Sequence, residues 1–221
     1  MRLIESSHSD PAGNLAVDAA LFHRLEETGS GETLRFWEAR QPAVIVGLLG
    51  VVGREVHEDV CFADHVPIIR RLSGGGAVVI AQGCLNYSLV LSLDARPELR
   101  HVGHSYRLIL SRVVAALGVP GLDVQGQSDL AVGQQKVSGS AQRRGRRALL
   151  HQGTVLYRFD VRHMERYLKE PQRQPAYRAR RPHSLFVTNA PLQPELIRTA
   201  IARAWDARLE IQSAETARLT C

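Results

Sequence analysis

Three consecutive glycines, Gly74 to Gly76, lie between two segments that have the composition of β-strands. The preceding segment is VPIIRRL (66–72) and the following one is AVVIAQG (77–83). Glycine within strand-like sequence marks a bulge or a close approach of the backbone to another group. Because glycine lacks a Cβ atom, consecutive backbone N–H groups can turn inward here and line an anion or an acyl chain. The chain is therefore expected to form a sheet that is interrupted at this point.

Polar residues directly before the glycines supply groups for the same kinds of ligand. Arg70 and Arg71 can make bidentate contacts to a phosphate, and Ser73 adds a hydroxyl. The motif is not a P-loop, because no Gly-Lys-Ser or Gly-Lys-Thr follows, and no GxGxxG opens a helix here. A glycine-rich bulge at a sheet corner with solvated arginines explains the same residues without a ligand, so both interpretations stay open.

Hydrophobic spacing along the rest of the chain predicts a mixture of strands and helices. Helices are expected at 14–27, 55–65, 104–117, 161–170 and 194–209. Strands are expected at 33–39, 42–49, 66–72, 77–83, 85–93, 129–132, 136–142 and 147–157, the first two joined through a turn at 40–42. Asp10 or Asn14 is expected to cap the first helix, and Gly118 to end the helix over 104–117. No regular βαβ alternation is present, so the prediction is an α+β fold, a single domain over residues 1–221 with a mixed, mostly antiparallel sheet flanked by helices.

The positive charge of the chain comes almost entirely from arginine. Of the 28 Lys and Arg residues, only Lys136 and Lys169 are lysine. The net charge of +6 favours anionic partners such as nucleotides, nucleic acid or an acidic protein, although a general bias toward arginine explains it equally well. Aromatic residues make up 5% of the chain and do not alternate with basic ones, which argues against binding of single-stranded nucleic acid.

The sequence contains no recognisable signal for membrane insertion or export. We find no run of about 18 apolar residues and no continuous apolar segment near the N-terminus. Cys61, Cys84 and Cys221 are odd in number and widely spaced, which fits neither a disulfide framework nor a zinc site. A cytoplasmic protein that does not bind membranes is expected.

Lys136 begins the segment KVSGSAQ (136–142). A lysine ammonium is a compact charge on a flexible stem, whereas an arginine guanidinium is a rigid fork. A reaction in which charge moves between a carboxylate, a phosphate and a leaving group suits the mobile ammonium. In a chain that otherwise uses arginine, we interpret Lys136 as catalytic and Lys169 as solvated. A solvated strand lysine is the alternative for Lys136 as well.

Three other side chains can take part in chemistry but also have ordinary structural explanations. Asp129 could bind magnesium or pair with Lys136, although a lone Asp at the start of a strand is more often a cap or turn residue. His151 lies in an apolar strand, where a buried structural histidine is the more common case. Cys84 could be a nucleophile, but a small buried thiol is favoured.

Together these segments resemble the catalytic domain of lipoate–protein ligases, in the superfamily that includes biotin ligases and lipoyl or octanoyl transferases. The first family signature, two arginines, a variable residue and Ser-Gly-Gly-Gly-Ala-Val, matches at 70–78. The second, Lys-[Ile/Val]-Ser-Gly-[Asn/Ser]-Ala, matches at 136–141, with the acidic residue upstream at Asp129. His-x-Gly-Thr matches at 151–154, and the resemblance extends over roughly residues 12 to 190.

The resemblance implies a reaction in two steps that uses ATP and Mg²⁺. Lipoate, or octanoate, attacks the α-phosphate of ATP to give an acyl-adenylate, and a lysine of an acceptor protein then takes the acyl group. The implied acceptors are lipoyl domains of 2-oxoacid dehydrogenases or the H protein of glycine cleavage. In this scheme Lys136 bridges the acyl carbonyl and the phosphate, and Asp129 is a candidate magnesium ligand.

The same family motifs imply two sets of binding residues. The nucleotide-binding set is Arg70, Arg71, Ser73, Gly76, Ala77, Val78, Val79, Lys136, Ser138, Gly139 and Ala141. The lipoate-binding set is Gly74, Gly75, Asn86, Tyr87, His151, Gly153 and Thr154.

Several positions depart from the family pattern. Ile80-Ala81 and Gly83-Cys84 stand where such ligases usually have His-Asp and Gly-Asn, and Ser128-Asp129 replaces an Asn-Asp pair. The Gly-Arg-Gly-Arg-type loop of biotin ligases is missing. The chain ends soon after the matching segment, so the smaller C-terminal accessory domain of many such ligases is expected to be absent, and a separate accessory subunit is considered.

These departures leave two alternatives to the ligase. One is a transferase that takes octanoyl or lipoyl groups from acyl carrier protein without ATP, with Lys136 as base and Cys84 as acyl carrier. However, the loop GQSDLAVGQQ (126–135) lacks the cysteine that some octanoyltransferases carry just before the catalytic lysine. The other alternative is a non-catalytic module that binds lipoate or a nucleotide.

The arginine cluster RRGRR (143–147) is expected at the tip of a hairpin. Exposed charges are common on protein surfaces, so a solvated tip is favoured over a contact with an acidic acceptor domain.

Overall fold

The computed structural model describes residues 1–209, so Cys221 lies outside the described residues. The strands are β1 (Arg2–Glu5), β2 (Thr33–Glu38), β3 (Ala43–Val46), β4 (Ile68–Arg70), β5 (Val78–Ile80), β6 (Cys84–Ser92), β7 (Leu122–Gln125), β8 (Asp129–Val132), β9 (Gln135–Arg144), β10 (Ala148–Leu156) and β11 (Arg208–Leu209). The α-helices are α1 (Pro11–Thr28), α2 (Val52–Glu55), α3 (Glu58–Ala63), α4 (Val102–Leu117), α5 (Arg162–Tyr167), α6 (His183–Phe186) and α7 (Pro194–Ala204). Within this described part, no helix is both long and apolar enough to cross a bilayer.

The strands form two sheets. The large sheet has eight strands in the order β11-β1-β2-β6-β10-β9-β8-β7, and the small sheet has the order β4-β3-β5. Strand β1 runs parallel to β11 and to β2, and β3 runs parallel to β4. The remaining pairs of neighbouring strands are antiparallel. The predicted fold, a mixed and mostly antiparallel sheet flanked by helices, is confirmed.

The structure differs from the predicted elements where distant segments meet. The strands on the two sides of the 40–42 turn are both present, but β2 belongs to the large sheet and β3 to the small one. Strand β1 was not predicted, because its partners are residues 33–36 and 208–209, which local periodicity cannot reveal. Strand β7 and helices α2 and α6 were also missed, and each spans four residues. The helix predicted over 194–209 ends at Ala204, and its last two residues form β11 instead. The helix predicted over 55–65 is shorter, since Glu55 ends α2 and α3 begins at Glu58.

Two residues that the sequence predicts as helix caps, Asp10 and Gly118, do cap α1 and α4. The Asp10 carboxylate accepts the backbone N–H groups of Ala12 and Gly13 at 3.0 and 3.1 Å, which starts α1 ahead of the predicted residue 14. Gly118 ends α4 in the left-handed conformation, with a φ of 59°, as predicted.

Strand β6 separates two cores, because it is buried along its whole length and its side chains alternate between two faces. Leu85, Leu89 and Leu91 pack in the core that contains α4 and α7. The opposite face carries the buried polar residues Asn86 and Ser88 and faces α1 and the small sheet. Buried polar side chains require partners, and here Asn86 donates to the carbonyls of Trp37 and Cys84 while Ser88 donates to the Asp18 carboxylate.

The tip of the β9–β10 hairpin is held against the body of the protein. Arg144 donates hydrogen bonds to the backbone carbonyls of Leu99 and Arg100. The Glu26 carboxylate of α1 accepts the backbone N–H groups of 146, 147 and 148 at 2.7 to 2.9 Å. Of the four arginines in the cluster, only Arg146 is exposed. The expectation of a solvated tip is therefore wrong, because acidic and carbonyl groups of distant segments surround it.

Candidate active site

A cavity of about 880 Å³ lies between the large sheet, α1 and the small sheet. It brings together most residues of the two predicted binding sets, which come from β5, β6, β9 and β10 and from the loop between β4 and β5. Those in its lining are Arg71, Gly74, Gly75, Gly76, Ala77, Val78, Val79, Asn86, Tyr87, Lys136, Ser138, Gly139, Ala141, Gly153 and Thr154. Asp129, the candidate magnesium ligand, lines the cavity as well. Three predicted residues are not in the lining: Arg70, Ser73 and His151.

The side chain of Lys136, on β9, extends toward Asp129 on the neighbouring strand β8. Its Nζ lies 2.8 Å from Oδ1 of Asp129, and the side chain is 27% exposed. A Cβ atom on Gly139 would lie 2.9 Å from this Nζ, so the glycine leaves the space in which the lysine stem lies. The pairing of β8 with β9 shifts register at this point, because Ala131 pairs with Lys136 whereas Leu130 pairs with Ser138. The Lys-Val-Ser-Gly segment thus forms a bulge that directs the ammonium into the cavity.

The surroundings of Asp129 do not fit the magnesium site implied by the family resemblance. Its Oδ1 is paired with Lys136, and its Oδ2 accepts a hydrogen bond of 2.8 Å from the hydroxyl of Tyr177. Burial and the nearby Asp129 carboxylate both raise the pKa of Tyr177, so the tyrosine stays a donor. Among residues 1–209, no cluster of three or more His, Cys, Asp or Glu side chains could hold a metal ion. We therefore describe Asp129 as the partner of Lys136 and assign no step to a metal bound there.

The two arginines of the first motif organise backbone instead of standing free for a phosphate. One Nη atom of Arg70 donates to three carbonyls, those of Gly47, Leu48 and Gly50. The guanidinium of Arg71 donates to the carbonyls of residues 45, 74 and 76. Burial lowers the pKa of Arg71 to about 10, so the group stays charged at neutral pH. Arg71 therefore shapes the glycine-rich loop while one face of it lines the cavity.

A buried chain of hydrogen bonds joins the glycine-rich loop to α1. Arg71 Nε donates to Ser73 Oγ at 3.1 Å, and Ser73 donates to Gln152 Oε1 at 2.7 Å. The Gln152 amide then donates to Asp18 Oδ2 at 3.0 Å. Asp18 also forms an ion pair of 2.8 Å with Arg35, whose side chain is completely buried. Sequence reasoning missed Asp18 and Gln152, because they stand 134 positions apart and carry no local motif.

One buried side-chain polar atom of the lining has no hydrogen-bond partner within the described residues. The hydroxyl of Ser138 is buried without a hydrogen bond, although its residue lies in the cavity wall next to the Lys136 bulge. Burying a hydroxyl without a partner is unfavourable by roughly 1–3 kcal/mol. This orphan group fits a ligand with hydrogen-bonding oxygens.

Tyr87, Gly153 and His151 form one packed unit in which only the first two reach the cavity. A Cβ atom on Gly153 would lie 2.2 Å from the ring of Tyr87, so the tyrosine needs the glycine beside it. His151 is stacked on Tyr87, and burial lowers its pKa to about 3, which keeps the imidazole neutral. His151 therefore supports the cavity wall from behind through Tyr87. It was predicted to contact the acyl chain, but it does not line the cavity.

Replacing Gly153 by Ala is expected to destabilise the protein by about 1–3 kcal/mol, because overpacking would displace the Tyr87 ring. The free energy of unfolding in urea measures this. Gly74→Ala is the matched control, since nothing lies within 4 Å of the position of its Cβ atom. Equal stability of the two variants would contradict the expectation.

Apolar residues complete the lining. They come from the core around the small sheet and include Trp37, Ile45, Ile80, Leu156, Leu168 and Phe186. Cys84 belongs to the same wall, is 1% exposed, and has its pKa raised to about 12 by burial and by the charge of Glu38. The cavity thus combines an apolar part with a polar part that contains Lys136 and the glycine-rich loop, a combination suited to an acid with a hydrocarbon chain.

Solved structures with the same fold are lipoate protein ligases. One is the archaeal bipartite lipoate protein ligase of Thermoplasma acidophilum, with a TM-score of 0.80, 24% sequence identity and coverage of 99% of this chain and 89% of that one. Another is lipoate-protein ligase A bound with ATP, with a TM-score of 0.78, 24% identity and coverage of 99% and 91%. At this identity the likeness establishes the fold.

The sequence comparison defines the family. The family model described as the lipoyl protein ligase A/B catalytic domain matches residues 10–199, and this chain belongs to that family. Named relatives of the chain include both lipoate–protein ligases and octanoyltransferases.

Relatives of both kinds are found. A protein of Aeropyrum pernix that provisionally carries the name lipoate-protein ligase A is 34% identical over 74% of this chain and 60% of its own length. Lipoate–protein ligase 1 of Staphylococcus aureus is 28% identical over 76% and 50%, and octanoyltransferase LipM of an Exiguobacterium strain is 30% identical over 69% and 64%. The chain thus spans about half to two thirds of the length of these relatives.

Proposed function

We propose that this protein is an ATP-dependent ligase that attaches lipoate, or octanoate, to a lysine of an acceptor lipoyl domain or H protein. The observation that carries the proposal is the Lys136 ammonium, which lies in the wall of a cavity together with an unpartnered Ser138 hydroxyl and the glycine-rich loop. Such groups suit a phosphate and an acyl carboxylate that lie side by side.

The reaction takes place in two steps. A carboxylate oxygen of lipoate attacks the α-phosphorus of ATP, the bond to the β-phosphate oxygen breaks, and pyrophosphate leaves. The ε-amine of the acceptor lysine then attacks the carbonyl carbon of the mixed anhydride, AMP leaves with the electrons of the broken C–O bond, and the amine loses a proton. Negative charge grows on phosphate oxygens in the first step and on the carbonyl oxygen in the second.

The residues of the cavity have distinct roles in this scheme. Lys136 stabilises the charge that develops in both steps, because its flexible stem lets the ammonium reach either oxygen. The glycine-rich loop presents backbone N–H groups to the phosphates, and Ser138 donates its hydroxyl. The apolar wall excludes water from the acyl chain and from the mixed anhydride. Asp129 positions Lys136 until the nucleotide enters.

Two observations favour the ligase over a transferase that carries the acyl group on cysteine. Cys61 and Cys84 are the cysteines within residues 1–209, and both are buried. A thiol whose pKa is about 12 supplies almost no thiolate near neutral pH. Since relatives of both kinds exist, ATP dependence is the property to measure.

The test is one assay with two acyl sources. The protein is incubated with an unmodified lipoyl domain and free lipoate, with and without ATP and Mg²⁺, and in parallel with octanoyl acyl carrier protein. Mass spectrometry of the lipoyl domain reports modification. Modification that requires acyl carrier protein and ignores ATP would reject the ligase in favour of the transferase. Binding of lipoate without any modification would favour the non-catalytic module.

Pyrophosphate release without acceptor isolates the first step. The solved bipartite ligase of Thermoplasma acidophilum shows that one fold relative works as two parts. Release by this chain alone would show that it adenylates lipoate without a second subunit. We also propose a cytoplasmic location, which fits the free thiols of Cys61 and Cys84.

Cys84→Ala is expected to leave ATP-dependent modification of the acceptor nearly unchanged, because the buried thiol only fills space in the wall. The rate of lipoylation measures this, and Cys61→Ala is the matched control, since Cys61 is equally buried but lies outside the cavity lining. Loss of all modification in the Cys84 variant alone would indicate an acyl-enzyme.

Tyr177→Phe is expected to lower the kcat of adenylate formation roughly tenfold, because a hydrogen bond to a charged carboxylate is lost and Asp129 no longer holds the Lys136 ammonium in one place. The KM for ATP should change little, since Tyr177 does not line the cavity. Pyrophosphate release at varied ATP separates the two constants. A higher KM with an unchanged kcat would show that Tyr177 does not position the lysine.

A further inference from the structure

The mouth of the cavity carries an exposed leucine on a short loop. We call residues 47–51 the mouth loop. Leu49 is 89% exposed and Val51 is 51% exposed, and both contribute to the cavity lining. Large apolar side chains with this exposure at the entrance of a site often mark a contact with another molecule.

The backbone of the mouth loop is held in place from below. The Arg70 guanidinium donates to the carbonyls of Gly47, Leu48 and Gly50 at 2.7, 3.1 and 2.9 Å. The backbone N–H of Leu48 donates to the carbonyl of Ser73 at 2.9 Å. These bonds order the loop before any partner arrives, while its leucine stays in solvent.

The fully exposed charged side chains of the cavity lining are cationic. Arg54 and Arg173 are exposed lining residues, and Lys169 is partly exposed. Of the acidic lining residues, Asp18 and Asp129 are buried, and Glu55 is partly exposed but accepts the backbone N–H groups of Val51 and Ala77. An approaching molecule therefore meets an apolar contact flanked by cations.

We propose that the mouth loop docks the acceptor domain, with Leu49 as the central apolar contact and Arg54, Lys169 and Arg173 facing acidic side chains around the acceptor lysine. This inference rests on the proposed function, which requires the lysine amine of a folded domain to enter this cavity through its mouth. The partner that fits is a small acidic domain with apolar surface beside its reactive lysine.

The energetics favour this loop as an anchor. Burying an exposed apolar side chain at the centre of an interface removes apolar area from water and so favours association. A loop that is already ordered loses little conformational entropy on binding. The surrounding cations speed association with an acidic domain and disfavour a basic one.

The experiment compares a small nucleophile with the acceptor in the Leu49→Ser variant. Hydroxylamine attacks the acyl-adenylate without docking and gives a hydroxamate and AMP, so it reports the adenylate and the cavity alone. An unmodified lipoyl domain of a 2-oxoacid dehydrogenase reports docking. We expect kcat/KM for the lipoyl domain to fall roughly tenfold or more and hydroxamate formation to fall much less, because Leu49 lies at the exposed edge of the lining. Phe62→Ser is the matched control, because Phe62 is 84% exposed on α3 and does not line the cavity.

Each other outcome overturns the docking surface. Equal acceptor kinetics in the Leu49 variant and the wild type would show that the leucine makes no contact with the domain. Loss of hydroxamate as well would place Leu49 in the substrate site. A molecular mass that halves in the Leu49 variant, with acceptor kinetics unchanged, would assign the loop to a second copy of this chain.

Failure of the proposed function has a different signature. A wild-type protein that forms neither hydroxamate nor modified acceptor would not be a ligase, and the docking proposal would fall with it. A wild-type protein that forms hydroxamate but does not modify the lipoyl domain would retain the adenylation step and lose only the docking surface.

Discussion

Lys136→Arg is expected to lower the rate of lipoyl-adenylate formation by about 10²–10³, although it keeps the positive charge. A guanidinium is larger and less flexible than an ammonium, and the lysine stem already lies against the space that Gly139 leaves free. The arginine fork can pair with Asp129 but cannot move as freely to the phosphate and the carbonyl. Pyrophosphate release with lipoate and ATP measures the effect.

Two further variants, Lys136→Ala and Lys169→Arg, serve as controls for this experiment. Removal of the ammonium should slow both adenylation and acyl transfer, whereas Lys169→Arg should change neither, since Lys169 donates to the carbonyl of Gly53 at the rim. Full activity of Lys136→Arg would show that any cation suffices at 136. The exceptional use of lysine in this arginine-rich chain would then have no chemical cause.

Asp18→Asn is expected to lower the free energy of unfolding by about 3–5 kcal/mol, because it leaves the buried charge of Arg35 without its carboxylate. That is a large part of the stability of a typical domain, which is about 5–15 kcal/mol. Urea denaturation measures the change. The variant should also loosen the glycine-rich loop, since Asp18 is connected to Arg71 through Gln152 and Ser73.

An exposed ion pair provides the control for Asp18. Asp160 pairs with Arg162 at 2.7 Å, but the arginine side chain is 88% exposed, so Asp160→Asn should change stability very little. If both variants lost the same small amount, the buried pair would be solvated more than its geometry indicates. A stable Asp18 variant with slow adenylation would instead assign Asp18 a role in the site alone.

Local chemistry made several elements predictable from sequence. The alternation of apolar residues indicated β6 and β10, the helical spacing indicated α4, and Gly118 ended that helix as expected. The strand pair β2 and β3 shows the limit of this reasoning. Each segment was recognised, but their separation into two sheets depends on long-range pairs, with β6 for one and with β4 and β5 for the other.

The candidate site divides in the same way. The motifs at 70–78 and 136–141 indicated the glycine-rich loop and Lys136, and most of those residues line one cavity. Arg70 was expected at a phosphate, but it holds the mouth loop. Asp129 was considered as a metal ligand, but it pairs with Lys136 and Tyr177. A residue type reveals which bonds a side chain can make, whereas the choice among them depends on which partners lie within reach.

The sequence alone therefore determined the family, the class of fold and the position of the lysine, because motifs and periodicity are properties of neighbouring residues. Tertiary structure decided the buried connection from Asp18 to Arg71, the support of Tyr87 by His151, and the exposure of Leu49. The physical reason is that hydrogen bonds and burial are settled between segments that lie far apart along the chain. Packing brings Asp18 and Gln152 within 3.0 Å across 134 positions, and no local pattern contains that distance.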